Sequence, residues 1–301
     1  MKKFLIVIFG ISLVASLAFG DEVDRELSTI ANEQIRTHTR AMVNAGIHRD
    51  EAVKVTKMMI QNNYQNQNTI RAQQILMATV KESLPVKPVM NKAFEGLAKN
   101  APQDLVLRAM ERTRYRYSIA NNHARQITQN TDRIHDITKA IAEGFTAGIH
   151  NKDAVQVMNR LQNRTQQRTK TNTEALAQES FLSLRDMARL GVSSRIAKDV
   201  VCHAHNQQYS TQEMKQLRHS FMSHSRSTDP VKLANQYSHA ISHGVRAENL
   251  SSDIHTQPWK TDDQRGAGDF DASPIDSLGG GPGGGFGGGP GGGSGGRQYK
   301  K

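Results

Sequence analysis

The stretch AGIHRDEAVKV at residues 45–55 returns as AGIHNKDAVQV at residues 147–157. Ala-Gly-Ile-His repeats in order, an acidic residue (Glu51 or Asp153) follows three places after the histidine, and Ala-Val-x-Val closes each copy. Both copies read the same way physically. Glycine has no Cβ, so it readily takes the left-handed conformation that ends a helix. The apolar residue after it, Ile47 or Ile149, folds back onto the last turn, and the next helix begins two to four residues on. Weaker forms of the joint are Leu190-Gly191-Val192-Ser193 and His243-Gly244-Val245. Gly46, Gly148, Gly191 and Gly244 are therefore expected at turns between antiparallel helices. Leu84-Pro85 and Ala101-Pro102 read as later joints of the first copy. Gly191-Val192 and Ser210-Thr211 read as their counterparts in the second.

Between the joints the apolar spacing is helical. Val86, Val89, Met90, Ala93, Phe94 and Leu97 form one stripe at i, i+3, i+4, i+7, i+8 and i+11. Ile134, Ile137, Ile141 and Phe145 form a second. Ala177, Phe181, Leu184 and Ala188 form a third, with Ser180 a polar interruption. Ser210-x-x-Glu213 is a capping box before Met214, Leu217 and Phe221. Asp229-Pro230 supplies an N-cap and a first-turn proline. No run alternates as a strand does. The expected fold is all-α: duplicated antiparallel helical hairpins, solenoid-like or a helical bundle, with eight or so helices and a disordered Gly-rich C-terminal tail.

Five regions are expected. Residues 1–20 read as a signal peptide, 21–130 as helical repeat block 1, 131–250 as block 2, 251–278 as a polar linker and 279–301 as a Gly-rich tail. In the leader, Lys2 and Lys3 precede an uncharged run from Phe4 to Gly20. Ala18-Phe19-Gly20 puts small residues at the −1 and −3 positions, and Asp21-Glu22 follows at once. Cleavage there leaves no stable transmembrane segment, and the expected location is periplasmic or extracellular.

The segment from Lys87 to Lys99 (KPVMNKAFEGLAK), followed by Pro102, resembles repeats in exported bacterial α-helical repeat proteins. The resemblance covers roughly 30 residues. It implies a helical fold and no catalytic residue.

Composition narrows the function classes. Apolar residues make up 37% of the chain and aromatics 5%, which suits thin helical layers better than one large core. Cys202 is the only cysteine, so no intramolecular disulfide framework and no C-x-x-C-H haem site can form. The formal net charge of +11 draws the protein toward polyanions such as nucleic acid, acidic polysaccharide or anionic lipid. No G-x-S-x-G, P-loop or dinucleotide fingerprint occurs. No enzymatic activity and no cofactor are expected.

Two constellations are candidates for binding. Arg108, Arg112, Arg114 and Arg116, with Tyr115 and Tyr117, make a basic cluster. Arg160, Arg164 and Arg168 fall at i, i+4 and i+8 and would line one helix face. Both sets suit phosphates, and the tyrosines of the first suit stacking. The alternative is a solvated face whose arginine stems cover apolar neighbours. Among the histidines, seven of 12 lie between His203 and His255. His239 and His243 sit at i, i+4, a spacing that can chelate a transition metal. The leading expectation is an exported non-enzymatic interaction or scaffold module of the cell envelope, binding an unknown protein or envelope component. A polyanion binder and a periplasmic metal binder are the alternatives.

Overall fold

A computed structural model describes residues 22–165 and 170–250. The chain divides into a unit spanning Met1–Gly266 and one spanning Ala267–Lys301, and every described residue belongs to the first. The leader and the Gly-rich tail expected from the sequence lie outside the described residues, as does Arg168.

The described residues are helical and contain no strand. A first helix, α1, is described over residues 22–27. Then come α2 (Glu33–Asn44), α3 (Arg49–Gln61), α4 (Asn66–Lys81), α5 (Val86–Ala98), α6 (Gln103–Ile127), α7 (Thr131–Ala147), α8 (Asn151–Thr165), α9 (Lys170–Arg189), α10 (Ser194–Asn206), α11 (Thr211–His224) and α12 (Pro230–Ser242), with a 3₁₀ turn at Ala247–Asn249. These helices outnumber the eight expected, because several joints carry no glycine.

Eight joints share one geometry. A residue at the end of the helix, the cap itself at Gly148 and otherwise the one just beyond the last turn, has positive φ: Gly46 at 105°, Asn63 at 55°, Ser83 at 56°, Asn100 at 49°, Gly148 at 109°, Gly191 at 86°, Gln208 at 58° and Gly244 at 90°. The next residue sends its N–H back to a carbonyl five positions earlier. Ile47 donates to Met42, Tyr64 to Met59, Leu84 to Thr79, Ala101 to Gly96, Ile149 to Gly144, Val192 to Met187, Tyr209 to Ala204 and Val245 to Ala240, at 2.9–3.1 Å. This is the Schellman closure, which satisfies carbonyls that a helix end otherwise leaves without partners. One residue further on, the next helix is capped. Ser193 and Ser210 do so with their side chains, and Ser210 forms the full capping box with Glu213.

The joints clasp one another two apart along the chain. Gln103, just after the Asn100 joint, accepts from Gln65 N and from Asn68 Nδ2, and donates to Asn63 O at 3.1 Å. His150 N donates to Ser194 Oγ at 2.9 Å, and that hydroxyl donates to Asp153 at 2.5 Å. Tyr209 Oη donates to Val245 O at 2.5 Å, beneath the Arg246 guanidinium 5.0 Å from its ring. The helices follow the same rule. Each packs on its chain neighbour or on the helix after next: α2 on α4, α3 on α5, α4 on α6, α7 on α9, α8 on α10, α9 on α11 and α10 on α12. Stacking by nearest and next-nearest neighbours is how α-solenoids bury a core.

The core has two main parts. Met42, Met59, Leu76, Met90, Leu97, Leu107 and Met110 belong to one. Ile141, Leu161, Phe181, Leu217, Phe221 and Tyr237 belong to the other. The 25-residue α6 bridges them: its Val106, Leu107 and Met110 lie in the first, its Tyr117, Ala120 and Ala124 in the second. Each half also buries a polar node. In the first, Gln73 Nε2 donates to Thr39 Oγ1 at 2.9 Å and to Thr56 Oγ1 at 3.1 Å.

Charge pairs tie the helices laterally. Arg185 of α9 reaches Glu143 of α7 at 2.8 Å, and Arg218 of α11 reaches Asp186 and Glu179 of α9 at 3.2 and 3.1 Å. At the other end, Asp24 pairs with Arg40 at 2.7 Å and Glu26 with Lys57 at 2.7 Å, fastening α1 to α2 and α3.

Candidate functional site

The candidate site is the outer face of α6. The inner side of this helix is fixed by its apolar residues, Val106, Leu107, Met110, Tyr117, Ala120 and Ala124, all buried. At 3.6 residues per turn the opposite side must then carry Leu105, Arg108, Arg112, Tyr115 and Asn122. Leu105 is 51% exposed and Tyr115 46%, and Arg108 and Asn122 are exposed as well. Tyr117, two residues from Tyr115, is buried and belongs to the core. The pair of tyrosines read together in the sequence is thus split between two roles.

Arg114 faces the other way. It pairs with Glu82 of α4 and, at 3.0 Å, with Glu111. Its charge is neutralised within the fold, which removes it from the basic cluster expected from the sequence. Arg108, Arg112 and Arg116 have no carboxylate partner among the described residues. Arg112 and Arg116 are half-buried. Arg116 donates from Nη2 to Thr113 Oγ1 at 3.2 Å, while its Nε is buried with no hydrogen-bond partner. Burial, with Arg112 beside it, pulls the Arg116 pKa down. A guanidinium half out of water, facing a like charge and lacking a counter-ion, is an unfavourable arrangement for the isolated fold. On the adjacent α4, Arg71 and Lys81 are exposed and likewise have no carboxylate partner among the described residues.

The second basic row departs from its expected form. Arg160 is exposed on α8, as a solvated row requires. Arg164 is buried, which corrects the reading of it as a surface residue. Its Nη1 donates to His205 Nδ1 at 2.9 Å and its Nη2 to Tyr209 O at 2.9 Å. With Nδ1 accepting, the neutral His205 ring carries its proton on Nε2 and donates to Ser180 Oγ at 3.0 Å. Ser180 passes the chain on to Leu176 O at 2.7 Å. The polar interruption in the α9 stripe is the seat of this buried network, and Arg164 serves the joint at Gln208-Tyr209.

His239 and His243 are exposed, and their rings stack with centroids 4.2 Å apart and planes 17° from parallel. Stacked imidazoles direct their in-plane lone pairs alongside one another, whereas a shared metal needs them convergent. His243 Nδ1 lies 2.9 Å from His239 O. Among the described residues no group of three or more His, Cys, Asp or Glu side chains is placed to hold a metal. Cys202 is buried in the second core cluster, and burial raises its thiol pKa.

Gly46, Gly148, Gly191 and Gly244 are at helix joints, and their role is conformational. Among the described residues no helix is long and apolar enough to cross a membrane. No protein-family model matches the chain, and no curated protein or solved structure does either.

Proposed function

We propose that the protein is an exported, non-enzymatic binding module of the cell envelope, periplasmic or extracellular, whose working surface is the outer face of α6. The observation that carries this reading is the contrast in charge pairing. Arginines such as Arg40, Arg185 and Arg218 on other helices, and Arg114 on the flank of α6, are matched to carboxylates. On α6, Arg108, Arg112 and Arg116 are held together without any, beside the exposed Tyr115. A surface that costs the fold something and gains nothing internally is the mark of a site kept for a partner. Stacked helical hairpins present such faces rigidly. The leader pattern of residues 1–20 supports export.

Site-specific photo-crosslinking in cells tests the reading. A photoreactive phenylalanine analogue replaces Tyr115 of α6 or Met222 of α11, both exposed. A discrete adduct at 115 and none at 222 is the expected result. Equal labelling at both positions, or none at 115, overturns it.

A further inference from the structure

We propose that the partner of the α6 face is a single-stranded nucleic acid, its phosphates met by Arg108, Arg112 and Arg116 and a base stacked on Tyr115. The proposal rests on the reading of α6 as the binding surface and names the chemistry recognised there. The three arginines stand at i, i+4 and i+8 on one helix, so they rise about 6 Å per step along its axis. A linear chain of anions meets them in succession, whereas one small anion can touch only one or two. Arg116 points to the same ligand class. Its half-buried guanidinium lacks a carboxylate and keeps a buried Nε without a partner. A phosphate at the solvent-facing edge of that guanidinium supplies the missing counter-charge.

Tyr115 decides between polyanions. Its ring is 46% exposed, three residues after Arg112 and next to Arg116. An exposed aromatic set among arginines is the recurring platform for unpaired bases, because every base offers a π face. A duplex hides those faces, and an acidic polysaccharide has none. Asn122 extends the exposed face toward the C-terminal end of α6. From Arg108 to Asn122 it runs about 21 Å along the axis, enough for several nucleotides.

The test is fluorescence anisotropy of the full chain with a labelled oligothymidylate of about 12 nucleotides across a salt series. Wild type is expected to bind at low salt with affinity falling steeply as salt rises. Combined Arg108→Ala, Arg112→Ala and Arg116→Ala should lose at least about tenfold in affinity and reduce the salt slope by about 2. Tyr115→Ala should lose about tenfold with the slope unchanged, and Tyr115→Phe should retain binding. A charge-matched control, Lys139→Ala with Lys152→Ala and Lys215→Ala, should stay within about twofold; these lysines are exposed on α7, α8 and α11. The proposal is overturned by absence of binding at low salt, or by equal loss in the lysine control. It is also overturned if Tyr115→Ala binds as wild type; heparin retention that depends on the same arginines would then assign the face to an acidic polysaccharide. A Tyr115 crosslink in cells together with failed oligonucleotide binding leaves the binding-module reading standing and removes only the nucleic acid.

Discussion

Gly96 of α5 lies so close to Val106 of α6 that a Cβ placed on it would run into Val106 Cγ2, with Cγ1 at 3.0 Å. Val106 is 2% exposed and cannot swing into solvent. Gly96→Ala should therefore destabilise the fold by about 1–3 kcal/mol through overpacking, although alanine is the better helix former. The thermal midpoint should fall by about 2–4 °C per kcal/mol. Adding Val106→Ala should recover part of the loss, giving a positive coupling in a double-mutant cycle.

The joints make a prediction of opposite signs. Gly148 has φ of 109° and Gln208 has φ of 58°. A non-glycine residue in the left-handed region costs about 1–2 kcal/mol, against about 0.5–1 kcal/mol for glycine's greater unfolded-state freedom. Gly148→Ala should lower stability by about 1 kcal/mol, while Gln208→Gly should leave it unchanged or raise it by several tenths. Denaturant midpoints of the two variants check both signs.

The same joints show what was legible in the sequence. Four announced themselves through glycine, and three more were visible as joints from Pro85, Pro102 and the Ser210 capping box. Their left-handed residues, Ser83, Asn100 and Gln208, were not. The Asn63-Tyr64 joint carries neither proline nor glycine and passed unread, which is why α3 and α4 were not separated. The candidate site was half legible. Arginine spacing along a helix shows which residues share a face, but not whether that face meets water or another helix. Arg164 shares its spacing with Arg160 and turns inward because His205 and the Tyr209 carbonyl lie on a helix more than 40 residues away and the joint that ends it. Arg114 turns to Glu82 for the same reason.

Arg160 and Arg164 should respond oppositely to truncation. Arg160→Ala, at an exposed position, should change stability by less than about 0.5 kcal/mol. Arg164→Ala should cost about 3 kcal/mol or more, because it strips a donor from His205 Nδ1 and from the Tyr209 carbonyl and leaves a buried gap. Chemical denaturation of the two single variants measures the difference.

Glu95 gives a pH signature. Hydrogen bonds from Lys92 and Lys99, both 2.7 Å, hold its carboxyl down at about 2 from an ordinary 4.5. The folded value lies below the unfolded one, so the pairs stabilise the fold above about pH 4.5 and lose that contribution as the pH falls toward 2. The groups are largely solvated, so the gain is only a few tenths of a kcal/mol. An NMR titration should place the Glu95 carboxyl midpoint below its ordinary 4.5, and Lys92→Ala with Lys99→Ala should return it toward that value.

That the arginines of α6 serve a partner and not the fold is tested most directly by the thermal midpoint of the isolated protein carrying Arg108→Gln, Arg112→Gln and Arg116→Gln together. Removing three unmatched charges relieves the repulsion between Arg112 and Arg116 and the desolvation of Arg116. The midpoint should therefore stay level or rise. A fall of more than about 4 °C, equivalent to about 1–2 kcal/mol, would show that these side chains hold the helix stack together and would contradict the account.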